Sequence, residues 1–341
     1  MVRKLVIALS LLVPSSVRIW IYRTLLGAHI GSNVRIKFGS YIVSNEIVLE
    51  DGVSIGSDVH IICGKLAIGE ETVICAEVRV DGDKSLTIGR NCYIGQRTLI
   101  NVTEPVTIED GVGIGSDTSI FTHGVWVSYL EGLPRKFAPV KLCREAWIPP
   151  RCIIQPGVTV GEGAMLATGA IATKDIPSGT FAGGVPAAVI RGINNIRDQV
   201  DLQEKDRRTR EILQTFVDHI AENTGHRAVS EDFETGNLFR FAEKGRKYGI
   251  CYQTDPISSE TLRKLMPIRN GVDTLVVVAL QGFSLSPDEL RREFGSLEWF
   301  DLSRLARKRS WHPFTVLVRD FFRGRYGVKF ALEQTSVSTT A

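Results

Sequence analysis

One of the six histidines in this chain stands apart by its surroundings. His123 lies in Ile120-Phe121-Thr122-His123-Gly124, where a long regular pattern of aliphatic residues is interrupted. A neutral imidazole near pH 7 can take a proton from a hydroxyl, and the mouth of a loop leaves room for a substrate beside it. The other histidines have weaker settings. His29 and His60 adjoin no insertion, His219 and His226 fall in a charged helical stretch, and His312 falls in a basic segment. Only His60 and His123 belong to the regular pattern, so three imidazoles cannot converge there and no metal centre is expected. Asn101 precedes His123 by one repeat, and Asp81 and Asp83 precede Asn101 by another. All three are also residues that suit turns. The interruption, Gly124–Lys141, carries Trp126, Tyr129, Pro134, Arg135, Lys136, Phe137 and Pro139. Aromatics with cations suit a sugar that bears phosphate or carboxylate, and they equally suit packing against a neighbouring chain.

The pattern that must position these residues counts in sixes. Ile30, Ile36 and Ile42 are six apart, as are Leu49, Ile55 and Ile61; Ile68, Ile74 and Val80; Ile88, Ile94 and Ile100; Ile108, Ile114 and Ile120; and Ile148, Ile154, Val160 and Leu166. Four residues after most of these comes a small or β-branched side chain, such as Val34, Val53, Thr72, Thr98, Thr118 or Ala164. Neither a helix nor an ordinary strand has that period. A parallel β-helix does, each hexapeptide forming one side of a triangular coil. Glycine or aspartate between the aliphatic positions fits the corners. The interval from Ile120 to Ile148 holds a loop of roughly twenty extra residues, and loops longer than about 12–15 residues in a compact domain are usually functional.

Ile30-Gly31-Ser32-Asn33-Val34, Ile55-Gly56-Ser57-Asp58-Val59 and Ile114-Gly115-Ser116-Asp117-Thr118 resemble the repeats of the hexapeptide acyltransferases. The run from Trp147-Ile148-Pro149 through Gly157-Val158-Thr159-Val160-Gly161 and Thr173-Lys174-Asp175-Ile176-Pro177 to Gly183-Gly184-Val185-Pro186-Ala187-Ala188-Val189-Ile190-Arg191 resembles the end of the maltose/galactoside and polysaccharide O-acetyltransferase branch. The lead-in Arg18–Gly31 resembles the polysaccharide enzymes. The likeness covers about residues 18–192. It implies a left-handed parallel β-helix, acetyl-CoA as acyl donor without a metal, and His123 as general base toward a sugar or glycan hydroxyl. It places Asn101 in the acceptor pocket, where Asp81, Asp83, Trp126 and Arg135 could join it. It also implies a homotrimer with active sites between subunits. For the donor, Trp147 could flank the pantetheine arm, Gly169, Gly183 and Gly184 could let backbone lie close to it, and Lys174 and Arg191 suit the phosphates of CoA.

The remaining sequence bounds this reading. The 341 residues suffice for two domains, and 43% hydrophobic with 23% charged residues indicates a folded chain. A formal charge of +3 gives no argument for nucleic acid. Six cysteines form no CxxC pair, which favours a reducing, cytoplasmic setting, and Cys92 and Cys152 sit at small-residue core positions. Residues 1–29 read as an amphipathic helix that caps the open end of the coil, lies at a membrane surface, or does both, rather than as a cleaved signal. The fold class expected is mainly β: the β-helix over 30–192, an N-terminal helix, and a C-terminal region, 193–341, with a helical linker and a small α/β domain. In that region Arg304–His312, with Arg319, Arg323 and Arg325, reads as a solvated helix face or a membrane or polyanion contact. Alternatives to O-acetylation are N-acylation of a nucleotide-linked amino sugar and a non-catalytic trimeric scaffold.

Overall fold

The computed structural model describes residues 13–124, 128–195, 198–224, 229–233, 236–243 and 245–332. The chain forms two compact units, Met1–Asp198 and Gln199–Ala341.

The first unit consists of three sheets, each assembled from every third strand of a continuous coil. Its registers join the residues that count in sixes. Ile30, Leu49, Ile68, Ile88 and Ile108 align in the first sheet. Ile36, Ile55, Ile74, Ile94, Ile114 and Ile148 align in the second. Ile42, Ile61, Val80, Ile100, Ile120 and Ile154 align in the third. These side chains are nearly all inaccessible and fill one core along the axis. The pairings are parallel except in the closing hairpin, Thr180–Gly184 with Ala187–Gly192, and in a two-residue ladder, His123–Gly124 with Lys136–Phe137. The count resumes earlier than the sequence pattern suggests. Leu142 is fully buried and pairs with Ile108 and Val160. Ile108 and Leu142 are 34 residues apart where neighbouring coils differ by 20, so the insertion adds 14 residues rather than about twenty.

The corners demand a particular backbone. Asp58, Glu77, Arg97, Asp117 and Arg151 form a column of left-handed residues with φ of 55–63°. Each donates its N–H to a carbonyl of the preceding coil, to Phe38, Ser57, Ala76, Gln96 and Ser116 respectively. A left-handed non-glycine residue costs roughly 1–2 kcal/mol, and the inter-coil hydrogen bond offsets it. Glycine and aspartate are therefore not the only occupants: glutamate and arginine sit in the same conformation.

The open end of the coil is covered by the helix Ser15–Leu25. Arg18 is buried beneath it and donates to the carbonyls of Lys37 (2.7 Å) and Ser40 (3.2 Å). Tyr22 Oη accepts from Ile42 N–H at 2.9 Å, and Arg23 donates to the Ile30 and Gly31 carbonyls. The end strands thus find partners that no earlier coil supplies.

The second unit is one seven-stranded mixed sheet. Val229–Phe233, Gly236–Glu243 and Arg246–Gln253 run antiparallel, then Thr274–Ala279 and Glu298–Asp301 continue parallel. The helices Leu202–Thr224 and Pro313–Tyr326 pack on one face. Ser259–Asn270 and Pro287–Phe294 pack on the other. Thr274–Ala279 is buried throughout, as an unbroken Leu-Val-Val-Val run requires. The basic segment is not a solvated helix face. Arg307 lies in an inner strand with no exposure and Arg319 is 6% exposed. Burial, with Arg319 nearby, pushes the Arg307 guanidinium down to about 9. Lys308 pairs with Glu298, and Arg304 with the buried Asp301.

All six cysteines are free. Burial pushes the Cys92 thiol up to about 11, and Cys63, Cys152 and Cys251 are likewise buried. A thiol-specific reagent at pH 8 should therefore modify only Cys75 and Cys143 in the native protein and all six in denaturant. Rapid native labelling of Cys92 or Cys152, read by mass spectrometry, would contradict the core assignment.

Candidate active site

The corner after the third sheet carries the polar cluster. Asn101 extends the strand Leu99–Val102 one residue past the buried Ile100 and pairs with Asp81 in the preceding coil. His123 follows Ile120 by three residues in the next coil. Its Nδ1 lies 2.8 Å from Asn101 Oδ1.

The surroundings of the Asn101 amide fix which atom faces the ring. Oδ1 is approached by the Thr122 hydroxyl at 2.6 Å and by the N–H groups of Thr103 and Thr122 at 3.4 Å. Nδ2 donates to the Asp81 carbonyl at 3.3 Å and to Thr103 Oγ1 at 3.1 Å. A main-chain carbonyl can only accept, so the amide cannot be turned over. An oxygen opposite Nδ1 requires Nδ1 to carry the proton. Nε2 then holds the lone pair, as a general base needs.

Thr122 is fully buried, and its backbone ties the site to the insertion. Its carbonyl accepts from Ala138 N–H at 3.0 Å. His123–Gly124 pairs antiparallel with Lys136–Phe137, so the insertion is closed at its base by a two-residue ladder. The half-buried His123 ring stacks on Phe137, with centroids 5.8 Å apart and planes at 20°. Lys136 and Ala138 reach over Gly157, where a Cβ would meet the Ala138 methyl at 3.0 Å. Within the insertion the Arg135 guanidinium lies 4.7 Å from the Tyr129 ring centroid. Trp126 falls outside the described residues.

Asp81 and Asp83 flank the same corner. Asp81 is exposed and engages Asn101 through its carbonyl. Asp83 is exposed and pairs with Lys84 at 3.7 Å. Lys174 follows Ala172 at this corner two coils beyond His123, roughly 10 Å along the axis.

The other expected donor residues lie elsewhere on the coil. Gly113, Trp147, Met165, Phe181 and Arg191 form one row across the second sheet. The Trp147 indole meets Gly113 with its Cε3–Cζ3 edge, where a Cβ would stand 2.5 Å from Cε3. Arg191 is exposed, 5.9 Å from the Phe181 ring. Gly183 lets the closing hairpin approach Ala167, since a Cβ there would meet the Ala167 methyl at 2.7 Å. Gly169 and Gly184 occupy turns with φ of 75° and 96°. The second sheet is the side of the triangle opposite the corner between the third and first sheets. Within one chain, Trp147 and Arg191 therefore do not join His123.

A concavity of about 630 Å³ lies in the second unit between Lys205–Ile212 and Phe322–Val328. Its floor is mainly aliphatic and aromatic, and Arg207 and Arg208 at its rim are paired with Glu204. It offers no base held by an orienting partner, and size alone does not outweigh the His123 geometry. Thr122 and Thr103 are the site residues that the sequence reading missed. The available signal was a threonine in the inward position that Val102 occupies one coil earlier.

No family model matches the chain. It is 35% identical to the galactoside O-acetyltransferase of Escherichia coli K12 over 113 residues, 33% of this chain and 56% of that protein. It is 40% identical to a 2,3,4,5-tetrahydropyridine-2,6-dicarboxylate N-acetyltransferase of Staphylococcus aureus over 65 residues, 19% of this chain and 27% of that protein. The chain thus spans about half the length, or less, of these curated relatives. Among solved structures, a maltose O-acetyltransferase from Clostridium difficile 630 aligns with a TM-score of 0.33 at 20% identity, covering 55% of this chain and 83% of that one. An N-acyltransferase from Bacillus cereus, in complex with dTDP and 3-hydroxybutyryl-CoA, aligns with a TM-score of 0.34 at 19% identity, covering 57% and 90%. The sequence resemblance is to acetyltransferases, with O- and N-acetyl transfer both represented.

The Asn101 contact makes one expectation specific. In protein labelled with ¹⁵N-histidine, neutral His123 should be the Nδ1–H tautomer. Asn101→Ala should return the ring toward the mixture of an unconstrained imidazole. An Nε2–H ring in the unaltered protein would contradict the network.

Proposed function

We propose that the first unit is a left-handed parallel β-helix acyltransferase that moves acetyl from acetyl-CoA to a sugar hydroxyl, with His123 as general base. The observation that carries this reading is the Asn101–His123 hydrogen bond, which holds a base with its lone pair outward beside a loop. His123 Nε2 takes the proton of the acceptor hydroxyl as that oxygen attacks the thioester carbonyl. The imidazolium returns the proton to the leaving thiolate, so the base is regenerated. Asn101 stabilises the imidazolium through Nδ1–H and holds the ring plane.

The exposed guanidinium of Arg191 and ammonium of Lys174 suit the donor's phosphates, and Trp147 offers an apolar face for its arm. The placement of Arg191 and Trp147 on a different side of the coil from His123 supports a site completed by a second copy. In the proposed homotrimer, the His123 corner of one chain faces the Trp147 row of the next. Asp81, Asp83 and Arg135 then border the acceptor, as polar groups exposed at the same corner or loop. The acceptor we assign is a glycan of a cell-surface polysaccharide, modified on the cytoplasmic side, where acetyl-CoA is made. The Arg18–Gly31 lead-in motivates that assignment. N-acylation of an amino sugar is the second reading, favoured by the N-acetyltransferase relative.

His123→Ala should lower turnover by about 10²–10⁴-fold with little loss of fold. Asn101→Ala should lower it by about 10–10²-fold with a smaller change in donor affinity, because it misplaces the base without removing it. Both are read by release of free CoA with hydroxyl and amino acceptors in parallel. Turnover of His123→Ala close to that of the unaltered protein overturns the base assignment. Absence of CoA binding by calorimetry overturns the enzyme reading in favour of a scaffold.

A further inference from the structure

Residues 1–45 contain Arg3, Lys4, Arg18, Arg23, Arg35 and Lys37 and no aspartate or glutamate; Glu46 is the first acid. With 38 acids in 341 residues, about five would fall in such a stretch if they were evenly spread. The described part of this segment builds one end of the coil. Arg18 and Tyr22 turn inward to the first coil. Val17, Trp20 and Thr24, spaced by three and four residues, lie on the opposite face of the helix. Trp20 is 58% exposed, Phe38 70%, and Val17 and Leu25 are exposed with them. Pro14, Ser15, Lys37 and Phe38 line one cleft, so the start of the helix and the Lys37-Phe38 corner form a continuous surface. Large apolar side chains in water beside a cluster of cations gain nothing for the coil itself.

We propose that this end of the first unit docks on an anionic bilayer surface. Trp20, Val17 and Phe38 enter the boundary between headgroups and acyl chains. Arg35 and Lys37 meet lipid phosphates. Among the described residues no helix is long and apolar enough to cross a membrane, which fits contact with the surface. A nucleic acid would use the cations but not the aliphatic side chains among them. The inference stands apart from the acetyl-transfer reading, because it uses no residue of the His123 corner.

The full chain should co-sediment with vesicles of phosphatidylcholine and phosphatidylglycerol, weakly with phosphatidylcholine alone, and less as salt rises. Each cation near such a surface is worth about fivefold in binding, so Arg35→Glu with Lys37→Glu should weaken binding by at least about 25-fold. Trp20→Ser with Phe38→Ser should weaken it by at least about tenfold. Both variants should keep the native circular dichroism spectrum. Brominated lipid should quench tryptophan emission in the unaltered protein and not in Trp20→Phe, a check that does not depend on the serine variants folding. Unchanged vesicle binding by both double variants overturns the proposal, as does equal affinity for phosphatidylcholine alone or for duplex DNA.

Discussion

Everything in the first unit depends on the backbone hydrogen bonds that run from coil to coil. They set a fixed spacing along the axis and keep the side chain at each position above its equivalent one coil away. The left-handed corner residues belong to the same ladder, since each donates its N–H to the coil before it. The ion pairs Arg90–Asp110, Arg97–Asp117 and Arg144–Glu162 also link successive coils, but they are exposed, and such pairs are worth about 0–1 kcal/mol. Register therefore rests on the inward aliphatic columns, where a slip of one residue would expose the whole set.

The site uses this spacing directly. Asn101 and His123 are 22 residues apart in sequence yet lie on adjacent coils, which brings a side-chain oxygen and a ring nitrogen to 2.8 Å. The orientation of the amide is not left to its own side chain. The Asp81 carbonyl on one side and donors from Thr103 and Thr122 on the other select it. Three successive coils thus contribute to the tautomer of one histidine. The closing ladder at His123–Gly124 and Lys136–Phe137 then holds the insertion without disturbing the coil beneath it.

Much of this was legible in the sequence, and the reason is periodicity. An aliphatic residue every six positions names its own strand, sheet and inward direction, so the registers follow from Ile30 onward. Two features escaped. Leu142 was hidden because no aliphatic residue six positions before it continues the count, and only its pairing with Ile108 shows that the coil has resumed. Thr122 was hidden because an inward threonine reads as a small core residue, while its hydroxyl is satisfied by an asparagine one coil away. In the second unit the unbroken Leu275–Leu280 run marked the central strand. The short strand Ala306–Arg307 did not show, since a basic segment gives no sign that Arg307 is turned inward.

The triangular cross-section constrains how the proposed chemistry can be completed. A corner and the side opposite it point in different directions, and no rearrangement of loops on a rigid coil brings them together. The expected base is at the corner, and two of the expected donor contacts, Trp147 and Arg191, are on the opposite side. Either those two residues serve packing alone, or the site is shared. The indole edge set against Gly113 has a packing role already. Arg191, exposed at the edge of the closing hairpin, is less easily explained by packing within its own chain. A second copy set against the His123 corner would bring that guanidinium toward the base without altering either coil. The position of Arg191, more than that of Trp147, is therefore what makes the proposed assembly part of the catalytic argument.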